Sequence, residues 1–241
     1  MDVKVNSIVG IDDALCSMFM SRWSLTNEKE YEIRKLVEDC TSRNGKLISA
    51  YNGEYNDLVS KLAKFGKIHI TLLKFVDISV SVRGLHRAGQ DDWDAHAKRF
   101  DNRIIRVSSR IANIKDKSGL ENLSDYYKDK VMTLDKVIEM LNVDIPDTIE
   151  VDGKTYVKTY NGYVEEQYKD NQDVLRGLYT LGFPSNFIFK CNLTEFAHVY
   201  KERGKNGGAN PEVKELAESI VDQLQSMQPW ITRELLMEIK N

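Results

Sequence analysis

Little in this sequence would cross-link the chain or carry it into a membrane. Only three cysteines occur among 241 residues, Cys16, Cys40 and Cys191, far apart and without C-x-x-C spacing. Neither a disulfide framework nor a cysteine zinc site is expected, and the compartment reads as reducing. No apolar run reaches the eighteen or so residues of a membrane span. Asp12 and Asp13 interrupt the apolar start before it grows to the length of a signal peptide, so a soluble cytoplasmic protein is expected. Excess charge of one sign is also missing: 34 Lys and Arg stand against 37 Asp and Glu, a net charge of −3. Nothing therefore draws the chain as a whole to a polyanion, and nucleic acid is not an expected partner. Neither the Walker pattern nor G-x-G-x-x-G occurs; the one glycine-rich stretch, GKNGGAN at 204–210, reads as a turn. Repeats, low-complexity tracts and separating linkers are absent too. With 41% hydrophobic residues, residues 1–241 read as a single domain able to bury a sizeable core.

What is present is a helix-rich pattern with a few strands. Residues 3–9 alternate as a strand does, and amphipathic helices are expected over 12–23, 28–40 and 55–65. The apolar stretch HITLLKFVD, 69–77, without Gly or Pro, predicts a central strand. Further helix is expected over 120–141 and 163–181. Between them Asp152-Gly153 sits between alternating runs and predicts a hairpin. A strand over 186–191, a helix ending near Arg203 and a last helix capped by Asn210-Pro211 complete the reading. Together these elements predict an α-rich α+β fold with a small antiparallel sheet and surrounding helices.

The residues 82–106 carry the most chemistry. Trp93, Ala97, Phe100, Ile104, Val107 and Ile111 recur at helical spacing, and Arg99, Arg103, Arg106 and Arg110 each precede one of them. On a helix these arginines would line the edge of the buried face, where a guanidinium can reach an anion while its stem stays packed. The plainer alternative is a solvated face paired with acids such as Asp94 and Asp101. Asp92 and His96 stand at i and i+4, but no third ligand with metal-site spacing follows, and no metal is expected. His198 has no nucleophile at motif spacing, so catalytic residues of a triad kind are not assigned. Cys191, in an apolar strand, reads as core.

In order along the chain, these segments resemble the flavin-dependent thymidylate synthases of the ThyX family. That family has a strand, then R-H-R-x7-S followed by x-R-Y, an N-x-R segment, a helix ending in Leu-Arg, and an A-Q-x-E-I helix start. Here HITLLKFVD leads into SVRGLHRAGQDDWDAHAKRF, with Arg87 on the first motif arginine and Arg99-Phe100 on the closing Arg-Tyr. Arg176 matches an arginine before the family's L-P, Asn192 the asparagine of N-x-R, and Arg203 the Leu-Arg arginine. Ala209 to Val213 matches the A-Q-x-E-I start. The chain departs from the pattern where Ala88 and Gly89 replace the motif His and Arg, Ala97 its Ser, Ala95 a common Glu, and Thr194 the second Arg of N-x-R.

The resemblance implies a homotetramer that binds FAD between subunits, with dUMP against the flavin. A carbon would pass from methylenetetrahydrofolate to the uracil ring, with NADPH as reductant. It also implies a substrate-phosphate role for Arg99, a uracil-edge contact for Arg203, and flavin contacts for Arg87 and Asn192. Arginine forks suit phosphate and imide oxygens, and a cofactor that carries the chemistry needs no triad. Arg103, Arg106 and Arg110 are left to packing or subunit contacts. The acids Asp91, Asp92 and Asp94 must then point away from the anionic ligand, or the ligand is different. The alternative is a ThyX-fold homologue with altered or lost catalysis, acting as a nucleotide-binding or structural oligomer.

Overall fold

The computed structural model describes residues 1–48, 53–95, 103–106, 123–128, 134–159, 162–171, 181–205 and 207–239. Its first elements are β1 (Asp2–Val9), α1 (Ile11–Met20), α2 (Asn27–Cys40), α3 (Gly53–Gly66), a 3-10 segment (Ile70–Phe75), β2 (Asp77–His86), α4 (Arg87–Ala95) and β3 (Arg103–Arg106). After these come α5 (Asp125–Lys128), α6 (Leu134–Leu141), β4 (Thr148–Val151), β5 (Lys154–Thr159), β6 (Gly162–Glu165) and a short 3-10 turn (Glu166–Tyr168). The last elements are β7 (Pro184–Asn192), α7 (Leu193–Arg203), α8 (Pro211–Met227) and α9 (Arg233–Glu238). One sheet has the strand order β1-β2-β7-β3 and the other β4-β5-β6. The fold is α+β and α-rich, with small antiparallel sheets. Two compact units emerge, a larger one of residues 2–82, 92–105 and 187–241, and a smaller one of residue 1 with 83–91 and 106–186.

In the larger unit α8 is the organising helix. Asn210 caps it by accepting from the Glu212 amide at 3.0 Å, and Pro211 occupies the first turn, where its missing N–H costs nothing. Val213, Leu216, Ala217, Ile220, Val221 and Leu224 recur at helical spacing and are all fully buried. Each large aliphatic chain so buried contributes about 2 kcal/mol. From the same helix Gln223 donates to the Val3 carbonyl and accepts from the Val5 amide, both at 2.8 Å, which satisfies the open edge of β1. Gln228, just beyond the helix, is a buried hub. It donates to the Gly45 carbonyl at 2.7 Å and accepts from Tyr55 at 2.9 Å and Trp230 at 3.0 Å.

The smaller unit contains the three-stranded antiparallel sheet. Asp152 and Gly153, at φ 52° and 74°, make the turn between β4 and β5, and Ile149 pairs with Tyr156 across it. Both positive values are what a two-residue hairpin of the twist-matched kind requires.

Three expectations are overturned. Residues 70–75 of HITLLKFVD form a 3-10 segment, with Leu72 donating to the His69 carbonyl and Val76 to that of Leu73. The strand begins at Asp77, where Ile78, Val80 and Val82 alternate inward with Ser79 and Ser81; strict alternation, rather than an unbroken apolar run, was the strand signal. The arginine stripe does not lie on one helix either. α4 is described over Arg87–Ala95 and Arg103–Arg106 is a strand, consistent with the β-branched pair Ile104-Ile105. Finally, residues 163–165 of the expected helix belong to β6, paired to β5 through Val164 and Val157. In sequence, the Asn-Gly pair at 161–162 is a dipeptide that favours a hairpin turn, as Asp-Gly at 152–153 is.

Candidate functional site

Arg203 and Asn192 belong to the larger unit, at the two ends of α7. Asn192 is the N-cap: its Oδ1 accepts from the Glu195 amide at 2.9 Å and from the Thr194 hydroxyl at 2.6 Å. The Leu193 amide donates to the Val76 carbonyl at 2.8 Å, fixing the start of the helix beside the beginning of β2. The acceptor side of the Asn192 amide is thus spent within the fold, and only its NH2 can face a ligand as a donor. Thr194, where the family pattern has arginine, is buried with its hydroxyl directed to Asn192.

Arg203 is the last residue of α7, where a cation complements the helix C-terminus. Its side chain is 14% exposed, and Nη2 sits 2.8 Å from Asp92 Oδ1. Its Nε is buried and finds no hydrogen-bond partner among the described residues. The chain turns away through Gly204, whose amide donates to the Tyr200 carbonyl at 2.7 Å. Gly207 lies against the backbone of Glu202, where a Cβ would come within 2.1 Å of the carbonyl oxygen. Gly204 and Gly207 of the GKNGGAN stretch thus fold back onto the end of α7, and glycine permits that approach. Eleven residues of helix put Asn192 and Arg203 roughly 16 Å apart, so within one chain they do not meet.

Arg87 belongs to the smaller unit, at the start of α4. The amides of Arg87 and Ala88 donate to the Phe183 and Leu181 carbonyls, both at 3.0 Å. These two first-turn donors, which at a free helix start could hold an anion, are consumed. The Arg87 guanidinium reaches Gln90 Oε1 and Asp91 Oδ1 only at 3.5 Å each. Asp91 is shared with Arg106, at 3.2 Å. His86 is buried, edge-on to Tyr127 with ring centroids 5.0 Å apart. A Cβ on Gly89 would come within 2.5 Å of the His86 ring. The glycine that stands in place of the motif arginine is thus the residue that lets His86 pack there.

Arg99 lies outside the described residues, as do His96, Ala97, Phe100, Arg110 and Arg176. Of the four residues assigned by resemblance, the structure places three and brings none of them into mutual contact within a unit. The signal missed in the sequence is the pairing of the acids. Asp91 and Asp92 do not point away from the arginines: Asp91 faces Arg87 and Asp92 holds Arg203. Asp92 is thus an ion-pair partner, and no group of three or more potential metal ligands occurs among the described residues.

A second feature of the larger unit is an open cavity of about 670 Å3 between the end of α1 and the stretch from Phe65 to Phe75. Its apolar walls are Met18, Met20, Phe65, Ile68 and Phe75. Arg22 stacks on Phe65, with Cζ 3.8 Å from the ring centroid. A volume of this size is that of a small-molecule site.

The fold has solved counterparts. ThyX from Helicobacter pylori with FAD and dUMP aligns with a TM-score of 0.60 at 15% identity, covering 98% of this chain and 100% of that one. A second structure of the flavin-dependent thymidylate synthase ThyX from Helicobacter pylori, complexed with FAD and dUMP, gives 0.57 at 12% identity, covering 98% and 99%. The UMP/dUMP methylase PolB from Streptomyces cacaoi, bound with 5-Br dUMP, gives 0.55 at 11% identity, covering 97% and 93%. No curated protein sequence matches. The architecture is thus that of the ThyX class of α+β proteins. Within it, the family Thy1, "Thymidylate synthase complementing protein", matches residues 17–230, and the chain belongs to that family as a divergent member.

Proposed function

We propose that the protein binds FAD and dUMP, or a related pyrimidine nucleotide, and transfers a one-carbon unit from methylenetetrahydrofolate to the uracil ring with NADPH as reductant. It acts as a cytoplasmic homotetramer in which residues 1–241 are one domain. The observation that carries this reading is the family match, which runs through both compact units over 17–230. The fold shared with structures that hold FAD and dUMP supports it.

The residues fit such ligands in part. The buried Nε of Arg203 is a donor awaiting an acceptor, which a pyrimidine carbonyl oxygen would supply. Arg87, held at long distance by Gln90 and Asp91, keeps donor capacity for an anionic or carbonyl group of the flavin. Asn192 serves the flavin as an NH2 donor, and Arg99 serves the nucleotide phosphate. The flavin supplies the redox chemistry of the methyl group when bound; the arginines orient the rings and balance their charge.

The test is direct. Purified protein takes up FAD with the visible absorbance of a bound flavin, and dUMP raises its melting temperature, by an amount equivalent to about 2.7 kcal/mol at a hundredfold excess over Kd. Arg203→Ala removes the dUMP shift and leaves FAD uptake. If neither ligand is taken up at saturation, the proposal is wrong.

A second reading is favoured by one observation, the pairing of Asp91 with Arg87 and of Asp92 with Arg203. In it the chain keeps the fold and a nucleotide site while catalysis is altered or lost. Thymidine-independent growth of a host lacking thymidylate synthase, restored by this chain, would rule that reading out.

A further inference from the structure

We infer that the cavity between the end of α1 and residues 65–75 binds a flat heteroaromatic ring carrying an anionic tail, with Trp23 stacking on the ring and Arg22 and His69 meeting the tail. Arg87, Asn192 and Arg203 are not among its lining residues, so the inference adds a site to the function proposed above and does not depend on those assignments.

Shape and charge identify the ligand. The walls are apolar and partly aromatic, whereas the polar groups are the hydroxyls of Ser17, Ser21 and Thr71, the His69 imidazole and the Arg22 guanidinium. No carboxylate occurs among the described lining residues. A site that offers apolar faces and donors, with one fixed cation, suits a planar ring whose tail is negative. The cation is held in place: its guanidinium lies on Phe65, and its amide donates to the Phe19 carbonyl at 3.1 Å.

Trp23 follows directly. It is fully exposed, while Trp93 and Trp230 are buried. Its backbone is left-handed, at φ 55°, a conformation that is strained for a bulky residue. The turn is closed by its amide on the Met20 carbonyl at 3.0 Å and by Ser24 on that of Phe19 at 3.1 Å, neither of which needs an indole. Trp23 is not itself a lining residue but directly follows Arg22, which is; an indole held in water one residue beyond the lining, where Met20, Ile68 and Phe75 are also exposed, is free to fold over a ring seated there.

Flavins and reduced folates both present this chemistry, and calorimetric titration of the full-length protein with FMN and, separately, with folinate distinguishes them. At least one binds. Arg22→Ala weakens that binding tenfold or more, Trp23→Ala about five- to tenfold, and Trp23→Phe much less, because a ring remains. Both positions are on the surface, and melting curves confirm that the variants are folded. Collisional quenching by acrylamide reports the site itself: the emission lost on Trp23→Phe is quenched readily in the free protein and is shielded once the ligand is in. The inference is overturned if neither compound binds, if both variants bind as the parent does, or if a flavin binds while Trp23 stays fully accessible. The last result leaves the flavin reading standing. Shielding by folinate in a protein that takes up no flavin anywhere has the opposite meaning: the cavity is assigned and the flavin reading fails.

Discussion

Tyr55 shows how one buried hydroxyl ties stability to pH. Burial pushes its pKa upward, and the hydrogen bond to Gln228 opposes that only in part. In the unfolded chain the phenol ionises near pH 10, as free tyrosine does, while in the native state it stays protonated at that pH. The group's contribution is therefore fully present below about pH 10 and is lost as pH rises from there toward the folded-state value. Tyr55→Phe should cost about 1 kcal/mol at neutral pH, the worth of one buried hydrogen bond. It should also flatten the alkaline loss of stability. Urea denaturation at pH 7 and at about pH 11 checks both, and an equally steep alkaline decline in the phenylalanine variant would contradict the assignment. Gln228 Oε1 remains bonded to Trp230 in that variant, which keeps the effect small.

At the scale of elements, Asn192 allows its capping task to be separated from the flavin contact proposed for it. An aspartate caps a helix as well as an asparagine does but has no NH2, whereas alanine does neither. Asn192→Asp should therefore keep the melting temperature and lose FAD affinity, and Asn192→Ala should lose about 1 kcal/mol as well. Wild-type FAD affinity in the aspartate variant would remove Asn192 from the flavin contacts. The elements themselves were unevenly legible. α8 could be read because Asn210-Pro211 marks its start and its apolar residues keep one period over seventeen residues. The hairpin could be read because Asp152-Gly153 needs positive φ at both positions. The 3-10 segment could not, since Leu72 and Leu73 are adjacent buried residues and an apolar run without a period is compatible with several backbones. The arginine stripe misled for a related reason: helical spacing continued past Ala95 while the β-branched pair Ile104-Ile105 already favoured a strand. Of the site, the arginines were visible as residue types. Their pairing with Asp92 or Asp91 was visible only in part: an i, i+4 contact from Arg87 to Asp91 follows from helix geometry, but Arg203 meets Asp92 through tertiary folding. The cavity was invisible because its walls come from two separated stretches, 17–22 and 65–75.

For the whole molecule, composition and site tell different stories. A net charge of −3 spread over 241 residues gives no general attraction for a nucleotide, so any capture of an anion falls to local groups. The two guanidiniums proposed to meet the rings each face a carboxylate, Arg87 opposite Asp91 and Arg203 opposite Asp92. An ion pair projects a dipolar field that fades within the screening length, about 8 Å at physiological salt. With their charge so balanced, Arg87 and Arg203 should give dUMP little guidance, and any salt dependence of its association should come from elsewhere, such as the Arg99 proposed for its phosphate. Asp92→Asn should speed association at low salt and make it fall as salt is added. Stopped-flow mixing of the two proteins with dUMP measures this, and an Asp92→Asn protein that associates no faster than the unsubstituted chain at low salt would refute it. Placed where they are, the two aspartates cancel the long-range pull of both guanidiniums, so that under the proposed function Arg87 and Arg203 act on a ligand only at contact.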